Sequence, residues 1–123
     1  MTNARHSLGQ RGEDYAAQYL SDQGYAIAAR NWHCRWGEID LVTEKDGKLI
    51  FVEVRTRRGD RLGTPEESIT LAKRARLIAA AQTYLDEHGQ TDRDWRIDVV
   101  AIEIGSRGEV QRCTLIENAI EET

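Results

Sequence analysis

The dipeptide Asp46-Gly47, set between the β-rich runs 37–42 and 51–55, constrains this chain more than any other feature. Asp-Gly between two such runs is the strongest short hairpin signal. A two-residue loop pairs Lys45 with Lys48, and counting outward sets Asp40 opposite Glu53 and Glu38 opposite Arg55. A four-residue loop on the same centre keeps that register, and only an odd-length loop or a bulge would break it. Acids therefore stand where apolar residues would be expected, and two of them face each other. Directly opposed Cβ atoms lie about 4.5–5.5 Å apart, and like charges so placed repel by a few tenths to about 1 kcal/mol, more when shielded from water. A hard divalent cation would offset that repulsion. Mg²⁺ is commonly held by one or two carboxylates while keeping several waters for a phosphate substrate.

With 123 residues the chain is most simply one domain, 1–123, with a core over about 7–116. Its formal net charge of −4 argues against a nucleic-acid coating protein driven by charge alone. A local basic surface is still available. The stretch 54–76 holds seven Lys and Arg against three Asp and Glu, a net of +4, which leaves −8 for the rest. No run approaches the roughly 20 apolar residues of a membrane span, and 1–10 has no signal-peptide core, so a cytoplasmic location without a membrane partner is expected. Cys34 and Cys113 lie far apart without a Cys-x-x-Cys or Cys/His pattern, and His6, His33 and His88 are scattered. Neither a zinc site nor a redox motif is indicated.

The spacing predicts a helix over 7–23, with Ser7 as N-cap and Gly24 as its stop. Ala16, Ala17 and Leu20 form its apolar stripe, and Glu13 points with that stripe, either into the core or snorkelling from its edge. A first strand is expected over 25–31, then the hairpin strands 37–43 and 48–55. Thr64-Pro65-Glu66-Glu67 fits a capping box, opening a helix that runs to about His88, with room for an interruption at Ile69-Thr70. Leu71, Ala75, Ile78, Ala81 and Leu85 are its expected apolar face, with Lys73, Arg74 and Arg76 turned elsewhere. Strands follow over 95–104, where Asp98 is best read as a structural partner for an arginine or a backbone donor, and over 110–116, an edge strand. One helix, three strands, one helix and two strands give a mixed α/β sandwich around a central five-stranded sheet.

The run Gly37-Glu38-Ile39-Asp40 with Phe51-Val52-Glu53-Val54-Arg55, preceded by a helix bearing Gly12-Glu13, resembles the YraN family of bacterial proteins. Arg30-Asn31-Trp32 and Arg96-Ile97-Asp98-Val99-Val100 are similar to segments of the same family. That family looks like a branch of the PD-(D/E)xK nuclease superfamily, closest to Holliday-junction resolvases. The resemblance implies a restriction endonuclease-like fold with helices flanking the sheet. It also implies a metal-binding aspartate at Asp40, a metal-binding glutamate at Glu53, a helical glutamate ligand at Glu13, and Arg55 at the superfamily's lysine position. Glu38 is a supporting acid in that scheme. Arginine effectively cannot lose its proton, so Arg55 is expected to bind phosphate or developing charge and not to act as a base.

The leading expectation is a Mg²⁺- or Mn²⁺-dependent phosphodiesterase on branched or damaged nucleic acid, DNA favoured over RNA. Asp40, Glu53 and Arg55 would carry the chemistry, and Glu13, Asp40 and Glu53 the metal. Arg57, Arg58, Arg61, Lys73 and Arg74 would grip the flanking backbone. A binding module without turnover and a protein-interaction domain are the alternatives. The resemblance also suggests a homodimer, with exposed parts of Trp32, Trp36 and Trp95 as candidate surfaces.

Overall fold

The computed structural model describes residues 7–59 and 63–121. Helix α1, Leu8–Asp22, is opened by Ser7, whose hydroxyl accepts from the Gln10 N–H at 3.0 Å, and is closed just before Gly24 at φ 93°. Three strands follow, β1 Ala26–Cys34, β2 Gly37–Lys45 and β3 Lys48–Arg58. Asp46 at φ 52° and Gly47 at φ 78° supply the two positive dihedrals of a type I′ turn. The register runs from Lys45–Lys48 out to Leu41–Val52, in the phase that places Asp40 beside Glu53. Strand β1 is longer than 25–31 because it continues past Asn31 to pair Cys34 with Gly37.

The Thr64 signal opens less than expected. Glu67 does reach back to the Thr64 N–H at 2.6 Å, but only a single 3₁₀ turn, Glu66–Ser68, follows. Ile69 is extended at ψ 111°, and Thr70 caps the Lys73 N–H to begin α2, Leu71–Glu87. The buried stripe of α2 is Leu77, Ala80, Ala81, Tyr84 and Leu85, which corrects the expected face: Leu71 is 84% exposed and Ala75 lies on the open side. The first turn of α2 meets the sheet through Lys73 and Arg74, whose side chains reach Glu53 and the Ala119 carbonyl, so Leu71 is left outward. Strand β4, Trp95–Ile104, runs parallel to β3, and β5, Val110–Ile120, pairs antiparallel to β4 and extends beyond the expected 116.

The sheet order is β1-β2-β3-β4-β5, with one helix on each face. Ala16 and Leu20 of α1 pack on Leu41, Ile50, Val52, Val100 and Ile102, whereas the stripe of α2 packs on Val42, Leu49, Phe51, Ile97 and Val99. Strand alternation then sends Asp40 and Glu53 to the α2 side and Asp98 to the α1 side.

Helix α1 comes down on β3 at one glycine. A Cβ on Gly12 would land on the Thr56 hydroxyl and 2.9 Å from Thr56 Cβ. Ala is favoured over Gly inside a helix by roughly 1 kcal/mol, yet Gly12→Ala is expected to destabilise by about 1–3 kcal/mol because the helix must lift off the strand. A fall in the urea midpoint with unchanged m-value is the readout.

Candidate active site

Asp40 sits where the sheet opens. On one side the β1–β2 pairing steps from Arg30–Leu41 to Trp32–Ile39, skipping Asn31, which is left-handed at φ 52°. On the other, the β2–β3 pairing ends at Leu41–Val52. The Asp40 carboxylate takes over: its Oδ2 accepts the Val54 N–H at 2.8 Å, a donor that a continued ladder would turn to the backbone of β2. Glu38 is consequently not opposite Arg55. It pairs with His33 of β1, the two side chains 3.5 Å apart, and the expected Glu38–Arg55 contact is absent.

Glu53 is 2% exposed. Its Oε2 meets two cations, Arg55 Nη1 at 3.2 Å and Lys73 Nζ at 3.9 Å, while its Oε1 is buried with no hydrogen-bond partner. Such an orphan costs about 1–3 kcal/mol, and more for a charged group. Burial, then the charge of Glu53, push the Asp40 carboxyl up to about 8 against the lowering effect of the Val54 N–H. The charge of Glu13 adds to the rise. The two acids thus form one interacting pair.

Glu13 approaches from α1, buried as its place on the apolar stripe indicated. Asn31 Nδ2 at 2.8 Å and Arg30 Nη2 at 3.1 Å both bond its Oε1. The left-handed Asn31, a conformation that asparagine tolerates better than most residues, aims its amide at this carboxylate. Among the described residues no group of three or more His, Cys, Asp and Glu is gathered tightly enough to hold a metal; the acids stand as a pair with Glu13 at its edge.

Arg55 is held by two partners. Its Nε and Nη2 donate to Ser68 Oγ at 3.0 and 2.9 Å, and its Nη1 to Glu53. Ser68 comes from the 3₁₀ turn, and Lys73 from the first turn of α2. Sequence reasoning placed Lys73 among backbone-gripping residues and passed over Ser68 and the ties of Asn31 and Arg30. The 3₁₀ turn preceding a second cap was the available signal for Ser68. Arg58 lies at the end of β3, donating to the Gly105 carbonyl at 3.2 Å, and Arg57 is half-buried beside it. Arg74 turns away from both, donating to the Ala119 carbonyl of β5 at 3.3 Å, and Arg61 lies outside the described residues.

The family model described as "Uncharacterised protein family UPF0102" matches residues 12–102, which include all the acids and cations of the site. The chain belongs to the UPF0102 family, the YraN family. A UPF0102 protein of Roseiflexus castenholzii is 50% identical over 123 residues, covering 99% of both chains. Another, from Herpetosiphon aurantiacus, is 49% identical over 115 residues, 90% of this chain and 92% of its own. A third, from Symbiobacterium thermophilum, is 49% identical over 112 residues, 91% and 94% of the two. The five-stranded mixed sheet between two helices is consistent with the restriction endonuclease-like fold of the YraN family. Among the described residues no helix of this UPF0102 protein is long and apolar enough to cross a membrane.

Proposed function

We propose that this chain hydrolyses phosphodiester bonds in DNA with Mg²⁺ or Mn²⁺, branched or damaged DNA being the favoured substrate. The Asp40–Glu53 pair carries the reading. A half-buried and a buried carboxylate share one opening in the sheet, Asp40 with its pKa pushed up to about 8 and Glu53 with an oxygen that nothing satisfies. Hard oxygen donors, one of them buried without a hydrogen-bond partner, suit a small divalent cation. Asp40 and Glu53 would hold it, joined by Glu13 through the oxygen that Arg30 and Asn31 leave unbonded. A divalent ion held there would supply an acidified water and polarisation of a phosphoryl oxygen.

The remaining work falls to the chain's own cations. Arg55 orients Glu53 and, with three N–H groups engaged on Glu53 and Ser68, has two of its five left for a phosphate oxygen. Lys73 adds a second positive charge at the same carboxylate. Arg57 and Arg58 follow along β3 and supply flanking backbone contacts.

Cleavage of labelled linear, flapped and four-way-junction DNA tests the proposal. Metal-dependent cuts by the wild type, lost in Glu53→Gln purified identically, are the expected result. Cuts that persist in both Glu53→Gln and Asp40→Asn would overturn it. Binding without cuts at any excess of protein would leave a module that holds nucleic acid without turnover.

A further inference from the structure

The β1–β2 hairpin closes at Cys34–Gly37 over Arg35-Trp36, two positions where tight hairpins favour asparagine and glycine. Neither residue takes a positive φ, and Gly37 absorbs the turn at φ 138°. The side chains stack on each other at the tip: the Arg35 guanidinium carbon lies 4.5 Å from the Trp36 ring centroid, and Trp36 is 41% exposed. The other tryptophans are half-buried, Trp32 edge-on to Tyr84 at 5.2 Å and Trp95 edge-on to Phe51 at 5.9 Å.

The tip stands beside the acid pair. Trp36, Gly37 and Glu38 share a cavity of about 20 Å³ with Lys73, Arg76 and Leu77. Lys73 is the residue whose Nζ lies 3.9 Å from Glu53. That cavity has room for little more than a water, so a planar ligand cannot insert there and must lie on the outward aromatic and guanidinium surface. Planar, π-faced and flanked by negative charge describes a nucleobase with its phosphates. Bases stack on tryptophan and on arginine planes whatever their identity, and Lys73 and Arg76 stand where phosphates would follow.

From this juxtaposition we infer that Arg35-Trp36 is a stacking platform for an unpaired nucleobase, set so that the adjoining phosphate reaches Lys73 and the acids. The inference rests on the nuclease reading and specifies its substrate. A base inside a continuous duplex has both faces covered by its neighbours, so only a strand with a splayed-out base can use the platform. Flaps, junction branch points and single strands present one; intact duplex does not.

Tryptophan fluorescence in chelator, with oligothymidine and a long blunt duplex as separate probes, tests this without any cleavage. The wild type is expected to show quenching by oligothymidine. Trp36→Leu should abolish the quench and weaken oligothymidine binding roughly ten-fold, while duplex affinity, set by phosphate contacts, stays within about two-fold. Trp36→Phe, which keeps a ring, should retain most of the affinity and shows that the hairpin still folds. An unchanged Trp36→Leu affinity, an equal loss on both probes, or a Phe variant no better than Leu would overturn the platform and leave the nuclease reading standing. An intact quench with no metal-dependent cutting of the linear, flapped and four-way-junction DNA overturns the nuclease reading alone.

Discussion

Asp40→Asn is expected to raise the melting temperature of the metal-free protein above pH 8 while removing both cleavage and the stabilisation conferred by Mg²⁺ or Mn²⁺. Folded Asp40 holds its proton up to about pH 8, whereas the unfolded side chain releases it near 3.8. Between those values the folded state binds more protons, so stability from this group is fully present below the unfolded value and is lost as pH rises through 8. Asparagine stays neutral at every pH and still offers an oxygen to the Val54 N–H. The variant should therefore gain at least about 1 kcal/mol above pH 8, roughly 4 °C, and the gain should vanish toward pH 4. Thermal melts in chelator across that range give the comparison. With the metal at a hundred times its Kd the wild type should gain about 2.7 kcal/mol and the variant almost nothing. Loss of several kcal/mol of charge stabilisation corresponds to a fall in cleavage of about 10³-fold. A variant less stable than wild type at every pH would mean that Asp40 is there to hold the strands together.

Asp98→Ala is expected to destabilise by about 3–5 kcal/mol, without touching the acid pair. Asp98 is fully buried on the α1 side of β4. Arg96 Nε lies 3.0 and 3.2 Å from its two oxygens, and the Asn118 N–H donates to Oδ1 at 2.8 Å. The β4–β5 pairing steps from Val99–Ile116 to Ile97–Ile120, so Asn118 lies in a bulge, left-handed at φ 52°, where the ladder cannot take its N–H. Removing the carboxylate strands that donor and leaves a guanidinium that is only 21% exposed with Glu117, at 3.7 Å, as its remaining acid. For a domain with about 5–15 kcal/mol in total, that is a large share. The urea midpoint should fall steeply, Asp98→Asn should lose less, and any folded remainder should still be stabilised by Mn²⁺. Equal stability of Asp98→Ala and wild type would refute the role.

These two acids mark what could be read from sequence. The hairpin register was legible because Asp46-Gly47 is local chemistry, and counting from a turn needs no knowledge of the rest of the chain. Glu13 was legible through helix periodicity, and Asp98 through its place in an apolar strand. In the stripe of α2, Ile78, Ala81 and Leu85 were legible, whereas Leu71 and Ala75 were misread because they also satisfy helical spacing; only the position of the sheet beneath decides which set is covered, and Tyr84 enters through its ring. Glu38 was misassigned because register alone does not say where two strands part. The contacts of Lys73 and Ser68 join residues brought together by the crossover from β3 to β4, and no periodicity within either segment encodes them.

Arg112 on β5 forks onto Glu66 at 3.1 and 2.8 Å and reaches Glu103 at 2.8 Å. Glu66 opens the same 3₁₀ turn that ends in Ser68, the residue gripping Arg55. The outer edge of the sheet thereby acts as a brace for a guanidinium two strands away. The aim of Arg55 is set by this buttress together with Glu53 of its own strand, so slack introduced at the rim would blunt the candidate site while the core stayed sound.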